Sequence, residues 1–420
     1  MARDLKPRVR KKLMKCLKTG VVPLQGIYAI QVGRHNEIKA IMKDLDDIKE
    51  GSTSVRVIIG EYGSGKTFLL SLARELAHVD NICVCNVDLS PEKRLYSTKG
   101  HGRRLYSDLV RTLSIKSRPE GGALRSIVET YLSQINVKDI YRELDDLKYY
   151  ALGPDFISVL LSYKEGFDSD DNFKINAAFK WISGEYNTKL EARQDLNIRT
   201  IIHDNNYYSA LKVLNTFLKI AGFSGLLLHF DEMVNLLRIS HTQTRKNNYE
   251  QLLSMVNDLL QANLSNIGIY FSGTPDFLTN EYRGLYSYEA LKGRLRENEF
   301  LDNNTFDLNH PVIRLKCMTK EEIYNLIDRL GNIYELDDSI NTHFDFEMNE
   351  KYVQWCSDKL GADLFTSPRE LIKSYLDLRD VMESNSSKTI EDTLGMIDIR
   401  PDEEEEESIN YDDDMVEMNL

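Results

Sequence analysis

Gly60-Glu61-Tyr62-Gly63-Ser64-Gly65-Lys66-Thr67 follows the apolar run VRVIIG and precedes FLLSLARELAHV, whose apolar residues recur at helical spacing. A buried strand, a glycine-rich turn and a helix start, in that order, make a cradle for phosphate. The eight residues fit G-x-x-x-x-G-K-[ST], and each fixed type has a physical job. Gly60, Gly63 and Gly65 let the backbone curl until its N–H groups converge on phosphate oxygens. A helix beginning at Lys66 adds its positive dipole end. Lys66 is placed to reach β- and γ-phosphates and Thr67 to set its hydroxyl on a bridging Mg²⁺, with Glu61, Tyr62, Ser64 and Phe68 completing the contacts. The ligand expected is a nucleoside triphosphate, ATP, with Mg²⁺. A chance glycine turn is the bland alternative, and it leaves the joint fit of loop and flanks unexplained.

Such a loop requires an acidic partner strand, and GLLLHFDEMVNLL supplies one. Asp231 reads as the metal-shell acid and Glu232 as the base that orients and deprotonates water. The next buried strand, IGIYFSGTPDF, stops at Ser272-Gly273-Thr274. Thr274 reads as a polar sensor of the γ-phosphate, with Ser272 its rival and a plain capped turn the structural alternative. Gly33 and Arg34 in VGRHNEI fall at a strand-to-helix bend about thirty residues ahead of the loop and read as base-side residues. The helix after them is expected to bury Ile38, Ile41, Met42 and Leu45. Ser90-Pro91-Glu92 has the pattern of a capped helix start, as do Thr319 with Glu322 and Ser367 with Pro368 and Glu370. Arg369 then lies in a first helical turn, where a cation opposes the dipole. That broken rule reads as a lid arginine reaching the γ-phosphate, against the alternative of an ordinary surface arginine.

The chain has 420 residues, 42% of them hydrophobic, enough for a large α/β domain and something smaller. Cys16, Cys83, Cys85, Cys317 and Cys356 are scattered, odd in number and without metal spacing, so neither a disulfide framework nor a zinc site is indicated, and a reducing cytoplasm suits them. Nothing in the sequence approaches a membrane span. The net charge of −13 is unevenly spread: residues 401–420 hold ten acids and no base, whereas residues 1–18 hold eight Lys or Arg against Asp4 alone. The basic end is open to two readings, contact with nucleic-acid phosphate or mere solvation. The segments expected are a basic arm or helix over 1–30, an α/β domain over 31–316 with a helical insertion over about 115–200, a helical lid over 317–395 and an acidic, disordered tail over 396–420.

GEYGSGKT, GLLLHFDE, SGTPDF and SPREL, in this order and spacing, resemble an AAA+ ATPase. The resemblance implies a P-loop NTPase fold of the α/β class: a parallel five-stranded sheet with flanking helices, a helical insertion and a C-terminal helical lid. VGRHNEI, DLSPEKRLYSTKGHGRRLY, NYEQLLSMVNDLLQ and RGLYSYEALKGRL add a closer similarity, to the ATP-binding proteins of BREX-type phage-defence systems of the BrxC/BrxD kind, the BrxD branch in particular. It implies ATP hydrolysis by a self-associating subunit, a homo-oligomer or ring, acting on or near DNA with a helicase or nuclease partner. AAA+ sites are completed by an arginine of the next subunit. Arg294 in ALKGRLREN matches that finger better than Arg296, which a helical reading turns about 200° away. Two other classes remain open on the residues alone: a nucleotide-dependent protein scaffold without DNA contact, and a small-molecule kinase, the latter disfavoured by the Asp231-Glu232 pair.

Overall fold

Five apolar runs become five strands, and their order fixes which residues share an edge. The computed structural model describes residues 5–296, 306–337, 340–360, 368–385 and 389–395. β1 (Thr53–Ile59), β2 (Ile82–Asp88), β3 (Gly225–Asp231), β4 (Ile267–Gly273) and β5 (Val312–Arg314) form one sheet in the order β2-β3-β4-β1-β5. The sheet is all-parallel and flanked by helices, the α/β architecture of a P-loop NTPase. Burial on both faces is why β3 and β4 are buried at every position and read as unbroken apolar runs. β2 pairs with β3 from Ile82↔Gly225 to Asp88↔Asp231, and β3 with β4 from Leu226↔Ile267 to Phe230↔Phe271. Parallel registers of this kind bring the strands' carboxyl ends to one edge, where open α/β sheets bind ligands.

In chain order the helices are α1 (Pro7–Lys18), α2 (His35–Lys49), α3 (Lys66–Val79) and α4 (His101–Thr112). The insertion follows as α5 (Leu124–Ser133), α6 (Ile140–Glu143), α7 (Gly153–Asp168), α8 (Asn172–Ile182) and α9 (Lys189–Leu196). α10 (Tyr207–Ile220) leads into β3, and α11 (Val234–Leu237) with α12 (Thr242–Leu260) into β4. α13 (Pro275–Thr279) and α14 (Glu289–Leu295) come after β4. Last are α15 (Lys320–Tyr334), α16 (Phe346–Leu360), α17 (Pro368–Ser384) and α18 (Ile390–Leu394).

These residues fall into two compact units. One comprises Lys39–Ile58 and Leu76–Ile313 and holds the sheet and the insertion. Its core carries a polar rung, because Asn86, His229 and Tyr270 stand in register on β2, β3 and β4. His229 Nδ1 meets Asn86 Oδ1 at 2.7 Å, and its ring stacks on Tyr270 at 5.5 Å. The Tyr270 hydroxyl donates to Asp44 of α2 at 2.8 Å. Asp44 also takes a bidentate bond from the buried Arg56 of β1, at 2.6 and 2.7 Å, and Arg56 reaches on to the carbonyls of Leu308 and His310. A paired, fully hydrogen-bonded ion couple is the form in which buried charge is tolerated.

The other unit comprises Met1–Ile38, Ile59–Glu75 and Arg314–Leu420, and so holds the phosphate loop together with α1 and the C-terminal helices. The expected capping box of Thr319 and Glu322 starts α15. Arg379 of α17 is fully buried yet matched: it donates to Glu335 at 2.8 Å and to the Thr342 carbonyl at 2.9 Å, and stacks over Phe344 at 4.1 Å. α1 packs on α17 with its Leu13 and Leu17 buried, and Lys18 adds an ion pair to Asp380 at 2.6 Å.

Three local expectations are corrected. Ser90-Pro91-Glu92 starts no helix: Ser90 and Lys93 exchange backbone bonds of 3.0 and 3.2 Å in a tight turn, with Ser90 Oγ accepting the Glu92 amide. The piece before VGR is a 3-10 turn, Ile27–Ala29, rather than extended, because Glu75 of α3 accepts the amides of Gly26 and Tyr28. Met42 is 51% exposed, and the buried face of α2 runs instead through Ala40, Ile41, Leu45 and Ile48. Ser367, the expected cap of α17, and the tail 396–420 lie outside the described residues.

Candidate functional site

The phosphate loop leaves the end of β1 and enters α3 at Lys66. Gly63 and Gly65 adopt φ of 76° and 89°, the left-handed region that side chains resist. Gly60 is needed for space: a Cβ there would lie 2.3 Å from Ser64 Oγ. That Oγ is buried and finds no protein partner among the described residues. The Lys66 ammonium lies over the loop, donating to the carbonyls of Gly60 at 2.8 Å and Glu61 at 2.9 Å, 5.4 Å from the centroid of the Tyr62 ring. Tyr62 and Thr67 are exposed, and Phe68 is half-buried on the first turn of α3.

Gly33 and Arg34 come to this loop, for a reason not visible in their own sequence. Both adopt left-handed φ, 63° and 58°. The turn aims the Arg34 guanidinium at the Ser64 carbonyl, 2.9 Å away, and at that of Lys316, 2.5 Å away, while Glu37 pairs with it at 3.5 Å. Arg34 thus straps the middle of the loop to the segment that follows β5. Gly33 is kept side-chain-free by Glu322, whose Oε1 would lie 2.1 Å from any Cβ. Arg369 is exposed at the start of α17, its stem beside Gly20.

In the sheet-bearing unit the acidic edge is built by β2, β3 and β4. Asp231 is buried, and its Oδ1 accepts the Glu232 amide at 2.8 Å and the Ser272 hydroxyl. Glu232 holds φ of 54°, a strained value for a residue with a side chain. Of the two sensor candidates, Ser272 is the one bonded to Asp231, whereas Thr274 Oγ1 accepts the Phe277 amide as N-cap of α13. Arg294 is exposed on α14 and fixed by Asn257 Oδ1 at 2.5 Å and the Ala290 carbonyl at 2.7 Å. Arg296, also exposed, caps the same helix.

Sequence reasoning passed over Asp88, which ends β2 in register with Asp231. Its carboxyl, open to solvent on one side, is held above its ordinary value by the protein packed on the other and then by the Asp231 charge. The signal was there: ICVCNVD ends an apolar strand in an acid, as GLLLHFD does. Among the described residues no cluster of three His, Cys, Asp or Glu stands ready for a metal. Mg²⁺ does not need one, since it takes one or two carboxylates and completes its shell with phosphate and water. Within the phosphate-loop unit, glycine-freed amides, the buried Ser64 hydroxyl without a protein partner and the Lys66 ammonium suit nucleotide phosphates; within the sheet-bearing unit, the strand-end carboxylates are of the kind a Mg²⁺ shell takes. No helix among the described residues is long and apolar enough to cross a membrane.

The family of the BREX system ATP-binding protein BrxC/D matches residues 5–398. No curated protein matches the chain.

Proposed function

The chain belongs to the BREX system ATP-binding protein family BrxC/D, and from that premise we propose that it is a Mg²⁺-dependent ATPase whose nucleotide cycle drives a DNA-directed step of phage defence. The observation that carries hydrolysis is the strand end Asp231-Glu232. One acid is buried and doubly hydrogen-bonded, and the next is half-buried and held at positive φ. A site that only held nucleotide would have no use for the second, strained acid.

In this reading the loop amides and Lys66 hold the β- and γ-phosphates, and the Tyr62 ring flanks the Lys66 ammonium. Mg²⁺, when bound, supplies neutralisation of charge on the phosphate oxygens. Thr67 and Asp231 would be its protein ligands, with Ser272 fixing the Asp231 carboxylate. Glu232 takes the proton of the attacking water. Arg34 acts by holding the loop, with Gly33 making room at the turn, and the two would border the base. Thr274 as γ-phosphate sensor and Arg369 as lid arginine keep their proposed roles. Arg294, held outward by Asn257, would serve the site of a neighbouring copy in a cytoplasmic homo-oligomer, with a helicase or nuclease as the protein that receives the work.

The test is a binding titration with ATP and Mg²⁺, and phosphate release with and without duplex DNA. Lys66→Ala should lose the site's one loop cation and with it nucleotide affinity, and unchanged affinity removes the assignment. Turnover that DNA does not alter would favour a protein scaffold over a DNA-directed ATPase.

A further inference from the structure

The basic N-terminal segment is not a loose arm over its described length. Residues 7–18 form α1, and Val9, Leu13 and Leu17 follow one another at intervals of four along one side of it. Leu13 and Leu17 are buried, and Leu5 and Val9 close against the turn at Gly26, where a Cβ would meet them at 3.2 and 3.1 Å. Opposite that ridge, Arg8, Lys11, Lys12 and Lys15 are all exposed. At about 100° per residue, these four fall within an arc of about 100°. No acid occurs from residue 5 to 18, and among the described residues no carboxylate pairs with Arg8, Lys11 or Lys15. Lys18 is neutralised by Asp380. Arg8 also lies in the first turn, where a cation works against the helix dipole, so folding gains nothing from that placement.

We propose that this stripe of α1 is a docking surface for the phosphate backbone of duplex DNA; the proposal rests on the DNA-directed reading above and names the face that would carry it. Arg8 to Lys15 spans about 10 Å of helix axis, and phosphates of one DNA strand succeed each other every 3.4 Å or so along the duplex, so the stripe faces about three of them. One side of α1 is locked onto α17 and the Gly26 turn, so the helix cannot sink into a groove on all sides. Residues 5–18 contain no Ser, Thr, Asn or Gln. The chemistry offered is charge along a ridge, which positions a protein on a duplex without reading its sequence.

The experiment uses the full chain, a labelled duplex of mixed sequence and anisotropy titrations from about 50 to 200 mM salt. The variants are Arg8→Gln/Lys11→Gln/Lys15→Gln, the charge-keeping Lys11→Arg/Lys15→Arg, and Lys11→Gln alone. Each phosphate contact on a duplex contributes about 0.9 to the slope of log affinity against log salt, so the triple variant should lose about 2.7 and the single about 0.9. The charge-keeping variant should retain the wild-type slope. A wild type that binds with the same slope as both glutamine variants overturns the α1 surface and leaves the DNA-directed reading standing. A wild type with no affinity for duplex at the lowest salt overturns both.

Discussion

Glu232 can be tested apart from its charge, because its backbone is as unusual as its position. At φ 54°, held by its amide on Asp231 and by its carbonyl, which accepts the Asn235 amide at 3.1 Å, it carries a Cβ in the left-handed region. That costs a non-glycine residue about 1–2 kcal/mol. At an ordinary φ, alanine is the more stable choice over glycine by about 0.5–1 kcal/mol. Glu232→Gly and Glu232→Ala delete the same carboxylate and differ only in the Cβ. The two effects oppose, and the glycine variant should come out ahead by about 1 kcal/mol, or about 2–4 °C in melting temperature for a unit of this size. Calorimetry measures that difference, and phosphate release measures the chemistry. Both variants should bind ATP and fail to turn it over. An alanine variant that melts as high as the glycine variant would refute the strained backbone. Turnover at the wild-type rate in either would remove Glu232 as the base.

Asp44→Ala should destabilise by about 3–5 kcal/mol, because it leaves the Arg56 cation buried without its bidentate partner, and Asp44→Leu with Arg56→Met should recover most of that loss. A loss below about 1 kcal/mol in a denaturant titration of the single variant would mean that the pair is not buried as described. Glu383 accepts the amides of Asn341 and Thr342 at 3.0 and 2.8 Å, which holds its carboxyl down at about 2, below its ordinary 4.5. A depressed carboxyl stabilises fully above the unfolded value and loses that contribution as pH falls toward 2. Melting temperatures of wild type and Glu383→Gln should therefore differ at pH 6 and converge toward pH 2; a constant gap argues against the two amide bonds. Arg294→Ala should bind ATP normally yet hydrolyse it about 10³–10⁵-fold more slowly if it is a finger in trans. Mixing it with Lys66→Ala should restore some activity at subunit boundaries that pair an intact Arg294 with an intact Lys66. No recovery despite demonstrated co-assembly would place Arg294 in its own subunit's chemistry.

The parts of this fold that were legible share a short-range cause. A strand buried on both faces must be apolar throughout, so VRVII, ICVCNV, GLLLHF and IGIYF declared themselves, and the turn after the first declared itself through its glycines. The Thr319–Glu322 box was legible because donor and acceptor are three residues apart. Ser90-Pro91-Glu92 carries the same local grammar but ends in a turn, since a hydroxyl that can cap a helix can equally close a bend. Met42 has the right spacing for a buried face, and only the packing partner decides which stripe of α2 goes inward.

What the sequence could not disclose is long-range. Arg34 lies thirty residues from Ser64 and far from Lys316, yet holds both carbonyls with one guanidinium. Nothing local to VGRHNEI announces that strap, although two successive left-handed residues are what turns the side chain toward the loop. The same limit applies at the acidic edge. Asp88 and Asp231 each end an apolar strand, and in the sequence only the Glu232 that follows Asp231 tells them apart. Only the pairing of β2 with β3 makes them neighbours, and only β4 gives Asp231 the Ser272 hydroxyl. That hydroxyl and the Glu232 amide satisfy the Asp231 charge, whereas Asp88 is held above its ordinary value by the packing around it and by Asp231 itself. Of two strand-end acids, Asp231 is therefore the one that the protein holds by two hydrogen bonds, and the proposal that its neighbour Glu232, strained at φ 54°, acts on water starts from that difference.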